Sequence, residues 1–316
     1  MIDAEYIDRE VMNQLFAAQY SREGSDLDAL YKNCDFMELL DPRLRSIIPG
    51  RFELPPHCLS FFSSDVYCPR CIKSDIAEGR SPAWRAKWRT QGECVCEFHQ
   101  NPVLLMRLES TRFNYASKGW LAFGEYINSP ASRLSIDFSL STPASRSAIT
   151  QNKILLHLIG RVQRWIRCMV AKGQVAELSL PACRNLLYIW LWQNVDRAGA
   201  SGFARQFFRP MRGDVITPSP RKGLGVDKLF DKAEVPHLAV AHLLLGVAYG
   251  VISEKEASLI REITFSPAWI FPVNRAEVVS CGLNALGREA LEMVRGEVQH
   301  ALGEKSYQLI SWALQR

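Results

Sequence analysis

The chain has 316 residues, of which 47% are hydrophobic and 22% are charged, and its formal net charge is +5. This length exceeds that of a usual single domain and predicts a globular protein with two domains, or one domain with an appended module. No run reaches the roughly 18 apolar residues that a membrane span needs. The acidic start, MIDAEYIDRE, is unlike a secretory signal, so we expect a cytoplasmic protein.

The charge is unevenly distributed along the chain. Residues 1–41 contain ten acidic and three basic residues, which leaves the rest of the chain strongly basic. A basic body suits an anionic polymer such as nucleic acid, because Lys and Arg side chains release counterions when they neutralise phosphates. The same balance is also consistent with an ordinary solvated surface.

The sequence of the N-terminal part predicts two helices followed by turns. Apolar residues at helical spacing predict one helix over residues 5–20 and a second over residues 26–40. Four prolines between residues 42 and 56 then break the chain into turns and extended pieces.

Residues 67–100, YCPRCIKSDIAEGRSPAWRAKWRTQGECVCEFHQ, contain four of the nine cysteines. Two pairs, Cys68 with Cys71 and Cys96 with His99, each have two intervening residues, and such spacing lets one tight turn direct both side chains at one ion. Three thiolates and one imidazole are a typical ligand set for structural Zn²⁺. In a reducing compartment, closely spaced cysteines indicate metal binding before disulfides.

Other ligand choices remain open at this stage. Cys94 could replace Cys96 beside His99, and Cys58 with His57 forms a weaker upstream pair. The cysteines could also be buried thiols without a metal. The four scattered cysteines are most simply core residues; they are Cys34, Cys168, Cys183 and Cys281.

The segment of residues 65–106 resembles the TniQ/TnsD family of bacterial transposition proteins. The resemblance is carried by three motifs and the leucines beyond them: Tyr67-Cys68-Pro69-x-Cys71, Trp84-Arg85-x-x-Trp88, Val95-Cys96-x-x-His99, and Leu104 with Leu105. We expect the two tryptophans, four residues apart, to share one face of a helix and to supply a core for the small metal module.

The resemblance implies a non-catalytic adaptor in DNA transposition, acting in target-site selection in the bacterial cytoplasm. Such proteins link target DNA, or a DNA-bound complex that is RNA-guided in CRISPR-associated transposons, to an AAA+ ATPase of TnsC/TniB type that recruits the transposase. A homodimer is left open, and no membrane partner is expected. The alternatives are a zinc-stabilised DNA-binding transcription regulator and, less favoured, a zinc-containing nuclease.

Beyond the cysteines, the pattern becomes helical. Residues 101–110 predict a strand or a helix start, 119–127 a helix and 133–141 a strand. The segment NKILLHLIGRVQRWIRCMVAK, residues 152–172, predicts a long amphipathic helix. Further helices are predicted over residues 182–194, 238–250, 254–263 and 285–302, and Ser253 with Glu256 has the spacing of a capping box.

These patterns predict a mainly α-helical protein with a small Cys3His zinc-binding module followed by a helical domain. We place an N-terminal helical segment at residues 1–50, the zinc-binding domain at 51–149 and the helical domain at 150–316.

Basic residues near the cysteines and in the connection at 198–235 are candidates for contact with nucleic acid or a partner. They are Arg70, Lys73, Arg85, Arg89, Arg205, Arg209, Arg212, Arg221 and Lys222. The phenylalanines of FARQFFRPMRG, residues 203–213, could instead anchor this connection to the core.

Two other patterns favour a structural role over binding. Arg161, Arg164 and Arg167 form a stripe on the long helix that is most simply solvated. Residues 242–263 have the outline of a helix-turn-helix, but the acidic second helix favours packing over a role in the DNA groove. No motif of a hydrolase or metalloprotease occurs, and we expect no catalytic activity.

Overall fold

The structure, a computed structural model, describes residues 42, 64–80, 82–90, 92–108, 118–128, 152–172, 180–192, 201–207, 233–264 and 269–315. The helices predicted over 5–20 and 26–40 and the strand predicted over 133–141 lie outside these residues. The described residues are mainly helical with a few short strands, which confirms the predicted fold class.

The elements follow in chain order. The strands are β1 (Val66–Tyr67), β2 (Val95–Cys96), β3 (Val103–Leu104) and β4 (Met106–Arg107). The helices are α1 (Pro69–Ala77), α2 (Lys118–Asn128), α3 (Lys153–Lys172), α4 (Leu180–Leu191), α5 (Phe203–Gln206), α6 (Val235–Ala248), α7 (Glu254–Ile263) and α8 (Arg275–Gln308). Two 3-10 helices span Ala86–Arg89 and Ser311–Leu314.

Internal contacts divide the chain into two units, one of residues 1–93 and 107–125 and the other of residues 94–106 and 126–316. In the first unit, Tyr67 and Trp88 are buried, with 0% and 1% of their surface exposed. Trp84 contacts both, with ring centroids 5.8 Å from each. The three aromatic rings form the core of this part of the unit.

The core of the second unit is built around α6. Helix α6 is apolar on all sides, and its residues from Leu238 to Ala248 are buried. It packs against α3 and α4, and α4 also packs against α8. Helices α5 and α8 also pack against α6, and a helix that is buried all round needs such neighbours on several sides.

Local signals explain where these helices begin. The Asn152 side chain accepts hydrogen bonds from the backbone N–H groups of Ile154 and Leu155 at the start of α3. At α7, Ser253 and Glu256 form the capping box that the sequence predicts. Capping satisfies backbone donors that have no partner within the helix.

Two details of the helix predictions are wrong. Trp84 and Trp88 do not share a helix, because only the short 3-10 helix Ala86–Arg89 forms and the backbone at Arg85 is extended. Helix α8 begins ten residues before the predicted residue 285, and it is interrupted at Gly287 and Gly303, where φ is 72° and 68°.

No helix in the described parts of the chain is long and apolar enough to cross a membrane.

Candidate metal centre

The first ligand pair is set by the junction between β1 and α1. Cys68 is the N-cap residue of α1, with φ −95° and ψ 114°, and Pro69 occupies the first helical turn. Proline is favoured there because its fixed φ suits a helix and its missing N–H costs no hydrogen bond. Cys71 follows within the same turn, and the N–H of Ile72 donates to the carbonyl of Cys68 at 3.1 Å. Both thiols therefore lie at the helix N-terminus, where negative charge is favoured.

The second pair is set by an antiparallel hairpin. Strand β2 pairs with β3 with Val95 opposite Leu104 and Cys96 opposite Val103. The N–H of Leu105 also donates to the carbonyl of Cys94 at 2.8 Å. Cys96 ends β2, and His99 lies in the connection between the two strands.

The four predicted ligands lie together. One ligand atom from each of Cys68, Cys71, Cys96 and His99 lies within 4.8 Å of all the others, and this is the one such group among the described residues. The three thiols are buried, with 0%, 3% and 3% of the residue exposed, and His99 is half-buried. Sulfur atoms in a tetrahedral zinc site lie about 3.8 Å apart. The observed spread is compatible with such a site after a contraction of about 1 Å.

The geometry favours Cys96 over Cys94. Cys94 is fully buried, and its sulfur lies 3.8 Å from Nδ1 of His242 on α6. It is not part of the ligand group. The alternative ligands Cys58 and His57 lie outside the described residues.

The scattered cysteines differ in exposure. Cys183 is buried as expected of a core residue, Cys281 is half-buried, and Cys168 is exposed. The prediction of a core position is therefore wrong for Cys168, which is exposed on α3. Cys34 lies outside the described residues.

The helix that carries Cys71 also carries Asp75, which forms a buried ion pair with Arg85. Asp75 on α1 is 2% exposed, and it receives two hydrogen bonds from the guanidinium of Arg85, at 2.8 and 2.9 Å. The N–H of Ala83 donates to the same carboxylate at 3.2 Å, and Arg80 reaches it at 3.3 Å. Burial alone would raise the pKa of Asp75, but these hydrogen bonds, led by those from Arg85, hold the pKa below its usual 3.8.

The residues of the Trp84-Arg85-x-x-Trp88 motif therefore have a structural role. The guanidinium of Arg85 lies 5.2 Å from the ring of Trp88 while it binds Asp75. The ammonium of Lys118 lies 4.4 Å from the ring of Trp84 and also donates to the carbonyl of Ser64. Trp88 is too deeply buried to stack on a nucleic-acid base, whereas it is well placed as core.

Helix α3 contacts the backbone of the two residues that precede Cys96. The side-chain oxygen of Gln163 accepts from the N–H groups of Cys94 and Val95, at 3.0 and 3.2 Å. Its amide nitrogen donates to the carbonyl of Val95 at 3.0 Å. Gln163 is 2% exposed, and no sequence motif singled it out.

The arginine stripe of α3 is paired rather than free. Arg164 and Arg167 both donate to the carboxylate of Glu97, the residue that follows Cys96. Arg161 binds Glu256 on α7 at 2.7 Å. The prediction of a solvated stripe missed these pairs, because each one joins residues that are about 70 or more positions apart in the sequence.

The predicted nucleic-acid contacts fall into three groups. Arg70 and Lys73 are exposed on α1. Arg85 binds Asp75, Arg89 is 3% exposed, and Arg205 donates to the carbonyl of Leu191. The others lie outside the described residues; they are Arg209, Arg212, Arg221 and Lys222. Contact with nucleic acid or a partner remains a prediction for all nine residues.

The described part of the 198–235 connection is anchored to the core. Phe203 and Phe207 are fully buried. Phe203 packs edge-to-face on Trp269, and Phe207 on Phe271. These contacts favour the anchoring role for both phenylalanines.

Fold and site together define a mainly α-helical protein with a buried Cys3His group at metal-binding spacing. Comparisons of the chain with protein-family models, with curated proteins and with solved structures found no match.

Proposed function

We propose that the protein is a non-catalytic adaptor of TniQ type in DNA transposition, with Zn²⁺ held by Cys68, Cys71, Cys96 and His99. Through its zinc module and helical domain it links target DNA, or a DNA-bound complex that can be RNA-guided, to an AAA+ ATPase of TnsC/TniB type. The ATPase in turn recruits the transposase.

The observation that carries this proposal is the convergence of two ligand pairs separated by 24 residues in the sequence on one buried group. The donor chemistry fits zinc, since three thiols and an imidazole suit a borderline-soft ion. Nearby carboxylates do not compete as donors, because Asp75 is engaged by Arg85 and Glu97 by Arg164 and Arg167. With all four positions filled by protein, the metal would be structural.

The other motif residues support the same proposal. Trp84 packs against Tyr67, which directly precedes Cys68, and against Trp88, and Arg85 pairs with Asp75 on the helix that carries Cys71. Each residue type in the motif thus has a physical role in holding one module. This agreement favours the family resemblance over a coincidence of spacing.

The function is tested by recruitment of the ATPase to DNA. Target DNA is immobilised, an AAA+ ATPase of TnsC/TniB type is added with ATP, and retention of the ATPase is measured with and without the protein. We expect retention to depend on the zinc-loaded protein and to be lost with Cys96→Ser, while Cys168→Ser, at an exposed position outside the ligand group, retains it.

Two results would contradict the adaptor proposal. Sequence-specific binding to a promoter without any ATPase association would support the transcription regulator. Metal-dependent cleavage of DNA would support the nuclease.

A further inference from the structure

Helix α3 fixes the chain immediately before the ligand Cys96. Both polar atoms of the buried Gln163 side chain are used, in three hydrogen bonds to the backbone of Cys94 and Val95. An amide side chain that satisfies two N–H groups and one C=O group holds these peptide planes in a single orientation.

The same helix fixes the chain immediately after Cys96. The carboxylate of Glu97 is bound by Arg164 and Arg167 and is 17% exposed. It lies against the helix at Gly160, where an added Cβ would be 3.0 Å from the carboxylate oxygen.

We propose that Gln163, Arg164 and Arg167, here called the α3 clamp, pre-orient Cys96 for the metal, with Gln163 as the principal positioning residue. This inference rests on the proposed zinc site. Ligands that are already ordered lose less conformational entropy on metal binding, and supporting hydrogen bonds of this kind typically contribute a factor of 10–100 in metal affinity. By linkage, the bound metal strengthens the attachment of the β2–β3 hairpin to α3 by the same factor.

The test is the affinity for Zn²⁺, measured by competition with a chromophoric chelator on the full-length protein. Gln163→Met keeps the length of the side chain but removes all three hydrogen bonds. We expect its zinc dissociation constant to rise about 10- to 100-fold. Glu97→Gln removes the charge that Arg164 and Arg167 bind, and we expect a smaller rise in the same direction.

Arg161→Gln is the matched control. Arg161 lies on the same helix and makes an ion pair of the same type, but with Glu256 on α7 rather than with the hairpin. We expect its zinc dissociation constant to equal that of the wild type. A general loss of stability in α3 would instead affect this variant as well.

A second measurement reports on the order of the β2–β3 hairpin itself. Hydrogen exchange of the Cys94 and Val95 amides should stay slow in the metal-free wild type and become fast in metal-free Gln163→Met.

The possible outcomes separate the two proposals. If Gln163→Met and Glu97→Gln both bind zinc within about threefold of a tightly binding wild type, the clamp has no positioning role, although the metal site stands. If Gln163→Met does not fold, Glu97→Gln alone decides the question. If the wild type itself takes up no zinc, the proposed metal site fails first.

Discussion

Asp75 and His242 are ionisable residues that lie in positions shielded from water, one in each unit. Asp75 is kept charged by Arg85, whereas His242 contacts the carbonyl of Leu238 and the thiol of Cys94, and the positive charge of Arg167 disfavours its protonation. Because the two environments differ, acidification should destabilise the protein through each residue in a separate pH range.

Removing the partner of Asp75 should be costly. We expect Arg85→Met to lower the free energy of unfolding by about 2–3 kcal/mol at neutral pH, near the lower end for a broken buried pair because Arg80 still reaches Asp75. The pair contributes above the usual pKa of 3.8 and its contribution is lost as the pH falls through the lowered pKa of folded Asp75. Urea denaturation over a pH series measures this.

The control for that prediction is Arg80→Met. Arg80 is 45% exposed, so its loss should cost less than about 1 kcal/mol. A difference between the wild type and Arg85→Met that does not shrink in acid would show that Asp75 is not the group responsible.

His242 should make the protein sensitive to mild acid. Burial lowers its pKa from 6.5 to about 4, so the unfolded chain binds a proton more readily than the folded one between these values. Stability is therefore complete above pH 6.5 and falls as the pH drops towards 4. We expect a loss of about 2 kcal/mol between pH 7 and pH 5 that is absent in His242→Gln. Equal losses in both proteins, measured by urea denaturation, would exclude this role.

The position of a residue could be predicted from the sequence where a single local pattern decides that position. The spacing of Cys68, Cys71, Cys96 and His99 was enough to predict that these four side chains lie together. It could not reveal Gln163 or the pairing of Glu97, because those contacts depend on which helix packs against the hairpin. A buried glutamine or a paired arginine leaves no repeating pattern in the sequence from which its contacts could be predicted.

At the scale of elements, helix boundaries follow capping residues, and interruptions follow glycines in unusual conformations. The capping box of α7 was predicted from Ser253 and Glu256 and is confirmed. The interruption of α8 was not predicted, because Gly287 stands in an apolar pattern that continues at helical spacing on both sides. A glycine with positive φ and one within a regular helix look the same in the sequence.

Two glycines of α8 therefore respond oppositely to the same substitution. Gly287 has φ 72° and ψ 178°, a region open almost only to glycine, so Gly287→Ala should cost about 1–3 kcal/mol. Gly296 lies in regular helix, and Gly296→Ala should stabilise by about 0.5–1 kcal/mol. An added Cβ has open space at both positions, so the backbone alone decides the sign. Thermal denaturation measures both, and shifts of the same sign would contradict this account.

At the scale of the whole molecule, the mainly helical character and the Cys3His group could be predicted from periodicity and spacing. The tryptophan motif was predicted as a helix because four-residue spacing is helical, yet the Asp75–Arg85 pair and the ring contacts hold it in an extended and 3-10 path. The proposed role in transposition rests on the motif resemblance, and zinc binding is the part of that proposal that a single measurement can test.

The central claim is that one zinc ion is held by Cys68, Cys71, Cys96 and His99. Elemental analysis of the purified protein after dialysis should find about one zinc per chain, which Cys68→Ser or Cys96→Ser strongly reduces and Cys168→Ser retains. Absence of tightly bound zinc from the wild type, or full zinc content in both ligand variants, would contradict the account.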